Sequence, residues 1–191
     1  SIRFKKELML IAQAKKEENV VEYVLYMFQL QDLIRGLRFE EESIRSNLAM
    51  PMAKSKEEEE LIMDWYRDLV KKMTTEGLRE KGFVSDVLSV IGELSLLHGM
   101  LMQQLNDKTY AGIFEKAMPF IEEYKVKSND EKVSDILICV NAMYAKLLLK
   151  LKKTPISKES EEAFTTFSAL LAYLAIKYKE MYQGKLSYSL N

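Results

Sequence analysis

The chain has 191 residues, 48% apolar and 30% charged, which suits one globular domain able to bury most of its apolar surface. With 28 Lys and Arg against 29 Asp and Glu, the net charge of −1 gives no global field that would draw the chain onto nucleic acid or anionic lipid. The single cysteine, Cys139, excludes an internal disulfide and fits a reducing, cytoplasmic compartment, while 7 Gly and 3 Pro supply little turn chemistry for a β-rich fold.

Taken in chain order, residues 1 to 18 read as a polar lead-in. Its opening is charged and the apolar stretch from 8 to 12 is too short for an export core, so no signal peptide is expected. The apolar period then becomes helical. A first helix is expected over 19 to 37, and a shorter one over 39 to 49 is stopped by Pro51. Ser55 and Glu58 have capping-box spacing for a helix over 56 to 76, ended by Gly77. The acidic run from 57 to 60 suits that helix's N-terminus. A fourth apolar run covers 84 to 105, and Asn106 or Asp107 can cap a helix over 107 to 127. That helix is expected to run through Pro119 with a bend, because the proline falls on its solvent side. Ser128 and Glu131 repeat the capping-box spacing before 132 to 153, and Pro155 and Ser157 introduce a last helix over 157 to 183. Residues 184 to 191 form a peripheral tail. The greasiest window, 163 to 176, contains Thr165, Thr166 and Ser168 and falls short of a membrane span.

The expectation is an all-α, single-domain antiparallel bundle over 1–191, with six main helices and one short one, since the connections are short. Wheels at about 100° per residue divide the helices into two kinds. Those at 56 to 76, 107 to 127 and 157 to 183 have one apolar face each, among them Trp65 and Tyr66, Ile121 and Tyr124, and Phe167 and Tyr178. The helices at 19 to 37 and 132 to 153 are apolar around most of their circumference and must be central.

Four polar residues break those apolar arcs: Gln31 and Arg35 on the first helix, Asn141 on the other central helix, and His98, the chain's one histidine. Asp32 sits beside the first helix's solvent stripe and needs no such explanation. Gly92, Ser95 and Gly99 make a small-residue stripe where another helix can approach. Burying an unpartnered amide costs about 1 to 3 kcal/mol and a lone guanidinium costs more, so the four must find partners. In the structural reading they satisfy one another or nearby carbonyls, with Arg35 reaching Asp32 or a Glu of the 40 to 42 run. In the functional reading they line a ligand pocket walled by Tyr23, Tyr144 or Trp65, with Arg35 as an anion clamp.

Named chemistries fit less well. A di-iron bundle needs two Glu-x-x-His pairs, and His98 stands alone. One Cys and one His do not build a usual zinc site, so no metal and no cofactor is expected. Neither a dinucleotide nor a phosphate-loop motif occurs, and Cys139 reads as a small core hydrophobe.

The segments NVVEYVLYMFQLQDLIR, DWYRDLVKKMTTEGLREKG and NAMYAKLLLKLKKTPISKES, in that order, resemble a family of helical proteins from Bacteroidetes known only as a domain of unknown function. The resemblance spans almost the whole chain. It implies an all-helical domain in a bacterial cytoplasm and no activity, so it assigns no role to any residue. The residues themselves favour a non-enzymatic module that binds protein, itself or another, through an outer helix face. Tyr178, Met181, Tyr182, Leu186 and Tyr188, running past the end of the bundle, are the candidate surface. The alternative is a small-molecule (anion) binder or an enzyme using the interior polar set. Neither nucleic acid nor membrane is expected as a partner.

Overall fold

The computed structural model describes residues 14–185, so the charged opening of the lead-in and the tail positions Leu186 and Tyr188 lie outside the described residues. Residues 14–18 are already helical and break at Asn19, whose Oδ1 accepts from the amides of Val21 and Glu22, both at 3.1 Å. That cap starts α1, Val20–Gly36. Arg38 and Phe39 then take left-handed backbone, and α2, Glu41–Ile44, runs into a π-helical turn at Arg45–Ala49. Ser55 Oγ caps α3, Lys56–Thr75, by accepting from the Glu58 amide at 3.1 Å. Gly77, at φ +72, ends it in a conformation that only glycine adopts freely.

The fourth run is α4, Ser85–Gly99, followed by a second π-helical turn at Met100–Gln104. Asp107 caps α5, Lys108–Ser128, through the Tyr110 amide at 3.0 Å. As expected, α5 continues through Pro119, which is exposed. The next boundary differs from expectation: Ser128 is the last residue of α5, its hydroxyl donating back to the Lys125 carbonyl, and Asn129 in the left-handed region stops the chain. Asp130 then closes a turn onto the Lys132 amide. Helix α6, Asp135–Leu151, starts three residues beyond the expected 132 and is capped by Ser134. Ser157 caps α7, Lys158–Tyr182.

The result is an all-α antiparallel bundle with no strand among the described residues. Helices α1, α4, α6 and α7 all pack on one another, so the expected central pair, α1 and α6, shares the middle of the bundle with α4 and α7, and α7 also packs on α5. Tyr178 is core, 2% exposed, as its apolar face predicts, and so drops out of the candidate exposed surface, whereas Tyr124, expected on the apolar face of α5, is 40% exposed. The stripe of Gly92 and Gly99 is not a close-packing face, since a Cβ on either glycine would meet nothing within 4 Å, and Ser95 bonds Ser134 instead. By length and composition Ser85–Gln104, rather than 163 to 176, is the one stretch among the described residues apolar enough to cross a membrane.

Candidate functional site

The second half of α1 carries Phe28, Gln31, Asp32 and Arg35 within two helical turns, all turned toward the loop between α3 and α4 and toward α6. Gln31 is 0% exposed, the one fully buried polar side chain among the described residues. Its Nε2 donates to the Met27 carbonyl at 3.0 Å, one turn back along α1. Its Oε1 accepts from the Val84 amide at 2.9 Å. Val84 is the N-cap of α4 and has no polar side chain, so Gln31 supplies from another helix the acceptor that this buried amide needs.

Arg35 closes the same loop. Its Nη1 donates to the carbonyls of Leu78 at 3.0 Å and Gly82 at 2.8 Å, while Nε and Nη2 reach Asp32 Oδ1 at 3.2 and 2.7 Å. Gly82, at φ +93, gives the loop its turn; a Cβ there would lie 2.9 Å from a Leu78 methyl. The guanidinium stands 5.4 Å from the centre of the Phe83 ring, which stacks on Phe28 at 3.7 Å. Tyr144 of α6 completes the group: its ring meets Phe28 edge-on at 5.5 Å and its hydroxyl donates to the second Asp32 oxygen in a short hydrogen bond. Burial, then that bond to Asp32, pushes the Tyr144 phenol well above its usual range, so it stays protonated at neutral pH.

Gln31, Arg35 and Tyr144 are therefore brought together, with Asp32 as the hub. The other sequence candidates lie elsewhere. His98 on α4 is half-buried; its Nδ1 shares a 2.6 Å hydrogen bond with the Tyr110 hydroxyl, and its ring meets Phe114 edge-on at 4.6 Å. Burial lowers the His98 pKa, partly offset by the charge of Asp135. Tyr110 in turn lies 5.6 Å from Tyr173, whose hydroxyl donates to Asp107 at 2.6 Å. Asn141 is half-buried on α6 and takes part in neither group. Tyr23 lines a separate cleft with Asn19, Glu22 and Tyr26, and Trp65 meets Tyr66 edge-on at 5.4 Å on α3. Cys139 is buried in the core and its thiol is pushed up to about 12 by that burial, far from a reactive thiolate.

Sequence reasoning offered Asp32 as a partner of Arg35, which the structure bears out, but missed its bond to Tyr144, and it missed Tyr110 and the loop from 78 to 84. Asp32 looks like an ordinary solvent-side acid on the wheel, and only its spacing to Arg35 hinted at pairing. The contact from Tyr144 crosses 112 residues and leaves no local signal. Similar tyrosine-to-carboxylate bonds recur at Glu93, which accepts from Tyr178 at 2.6 Å and Tyr182 at 3.2 Å. Every buried side-chain nitrogen and oxygen among the described residues has a partner, and no three His, Cys, Asp or Glu side chains there gather as metal ligands would.

Chemically, the α1 group is a tie between two helices and a loop: its donors are occupied by protein carbonyls and Asp32. Fold and site together define a helical bundle with a satisfied interior polar knot. The chain belongs to the family described as Domain of unknown function (DUF4924), which matches residues 9–185. No curated protein and no solved structure matches it.

Proposed function

We propose that this chain is a non-enzymatic interaction module of a bacterial cytoplasm, of Bacteroidetes origin as the sequence resemblance implies, and that it binds a second copy of itself through the outer face of α4. The observation that carries this reading is the pair Leu88, 44% exposed, and Leu96, 72% exposed, with exposed Gly92 midway between them. At four-residue spacing the three share one helix face, and apolar side chains clustered this way favour burial against a partner over contact with water. The glycine leaves room for a partner's side chain or backbone to approach. The C-terminal aromatic residues support an interface less well, because Tyr178 is core and the hydroxyl of Tyr182 is held by Glu93. The alternative of an anion clamp at Arg35 is disfavoured by its guanidinium being occupied on three sides.

Sedimentation velocity over a range of concentrations tests the proposal. Wild type should sediment as a concentration-dependent dimer, and Leu88→Ser/Leu96→Glu as a monomer with an unchanged helical signal. A wild-type monomer throughout overturns self-association. Flotation of wild type but not of the variant with zwitterionic vesicles would assign the face to a lipid surface instead.

A further inference from the structure

Four tyrosines are buried among the described residues: Tyr66, Tyr110, Tyr144 and Tyr178. Three of them pair their hydroxyls with strong partners, Tyr110 with the His98 ring, Tyr144 with Asp32 and Tyr178 with Glu93. Tyr66 on α3 differs. Its hydroxyl donates to the Met52 thioether, Oη to Sδ 3.7 Å, and to no nitrogen or oxygen among the described residues. A thioether is a weak acceptor, so this donor is the least well satisfied of the four.

Met52 lies in the loop from 50 to 55, between the π-helical turn and α3, and hydrogen bonds fix the backbone there. The Ala49 carbonyl accepts from the amides of Met52 at 3.1 Å and Ala53 at 3.0 Å, and the Met50 amide donates to the Arg45 carbonyl at 2.8 Å. The Lys54 amide donates to the Glu58 carboxylate at 2.6 Å. Met50 and Met52 are 53% and 52% exposed, while every other methionine among the described residues is buried or half-buried. Dissolved oxidants therefore reach these two sulfurs first. They differ in one respect, since only the sulfur of Met52 faces a hydroxyl donor among the described residues.

We propose that Met52 is a reversible oxidation site, at which hydrogen peroxide converts the thioether to a sulfoxide that takes the Tyr66 hydrogen bond and holds the loop more firmly to α3. The Sδ lone pair attacks one peroxide oxygen, the O–O bond breaks, and the departing hydroxide takes the proton of the transferred oxygen and leaves as water. Sulfur is oxidised by two electrons and peroxide is reduced by two. With Oη 3.7 Å from Sδ, an oxygen bonded to sulfur and set to one side of the line between them comes within about 2.7 Å of Oη while the sulfur keeps its place. A turn about the Cγ–Sδ bond brings an oxygen added from the solvent side round to Tyr66. Sulfoxide formation commonly disrupts packing, because it makes an apolar side chain polar. At Met52 it meets a donor that lacks a good acceptor, so the sign of the effect reverses. Methionine sulfoxide reductases undo the step, which makes it a switch. This assignment is independent of the α4 interface.

Peptide mass spectrometry of the full chain after mild hydrogen peroxide treatment, with thermal unfolding at one protein concentration, tests it. Met50 and Met52 should gain oxygen before the buried methionines. In Met50→Leu, oxidation of Met52 should raise Tm by about 2 °C, the effect of a weak hydrogen bond made good in a chain of this size. Amide exchange over residues 52 to 55 should slow with it, and treatment with both sulfoxide reductases should reverse both changes. The rise should be absent when Met52→Leu is added, and absent when Tyr66→Phe is added, which removes only the hydroxyl. Should the Tyr66 variant not fold, the Met52→Leu comparison and the local exchange carry the test. Oxidation of Met52 no faster than that of the buried methionines, an unchanged or lowered Tm, or a rise that survives Tyr66→Phe or Met52→Leu would overturn the proposal.

Discussion

Two regions of the molecule break the expected pattern of polarity in opposite ways. Along the second half of α1, polar side chains enter an apolar arc, and the structure answers each with a partner: Val84 for Gln31, the Leu78 and Gly82 carbonyls for Arg35, Tyr144 for Asp32. Along the outside of α4, apolar side chains enter a solvent face, and Leu88 and Leu96 remain uncovered. The asymmetry follows from energetics. A polar group without a partner in the interior costs too much to persist, so its placement is resolved within the fold. An apolar group in water costs less, and a face made of several can await a partner molecule.

If α1 is the resolved region, its variants should lose stability and nothing else. The largest loss is expected for Gln31→Leu. The leucine fits the apolar surroundings but leaves the Val84 amide buried without an acceptor, a loss of about 2 kcal/mol. The Met27 carbonyl keeps its helical bond and contributes little to that figure. Urea unfolding followed by circular dichroism measures it, and a midpoint within error of wild type would mean that the contact contributes nothing. Arg35→Met should lose less, roughly 1 kcal/mol, because Asp32 keeps Tyr144 and is partly hydrated, and the Gly82 carbonyl can turn to water. Its sharper readout is local: amide exchange over residues 79 to 83 should accelerate while α1 and α6 keep their protection. Uniform acceleration would mean that Arg35 supports the whole bundle and not the loop.

The same contrast marks how far the sequence could be read. Helix number, order and most boundaries follow from the 3.6-residue period and from caps such as Asn19, Ser55, Asp107 and Ser157, all of which act within a few residues. The start of α6 was misplaced because Ser128 and Ser134 both offer a capping hydroxyl, and the left-handed turn at Asn129 that selects between them is set by the local backbone. That Gln31 and Arg35 would need partners was legible from the wheel. Asp32, three residues from Arg35, was legible as a partner, but the distant ones were not, since Val84 lies 53 residues from Gln31 and Gly82 lies 47 from Arg35. The same limit hid the separation of His98 from the α1 group, because an apolar face specifies that a residue is inside but not which neighbours it meets. The exposure of Leu96 was likewise hidden, as nothing local distinguishes a core leucine from one waiting for a partner.

His98 gives the finest test of the resolved interior, because its partner is neutral. It is held against the Tyr110 hydroxyl and the edge of Phe114, with Asp135 the charged group whose field reaches it. Burial lowers its folded pKa below the unfolded value of about 6.5, with Asp135 opposing only in part. The sign follows: the neutral ring is the form that the fold favours, so the stability it contributes is fully present above the unfolded pKa and is lost as pH falls through the folded one. Tyr110 and Cys139, both raised by burial, stay neutral throughout that range and do not contribute. Asp107 adds a loss only at more acid pH. Burial raises its pKa, but the Tyr173 hydroxyl and the Tyr110 amide outweigh it and leave the carboxyl below its usual range. Wild type should therefore lose stability between pH 7.5 and 5.5, while His98→Phe, less stable at pH 7.5 for want of the Tyr110 bond, should show a flatter profile over that interval. Parallel profiles for the two proteins would place the acid sensitivity elsewhere and remove His98 from the set of groups that the fold holds neutral.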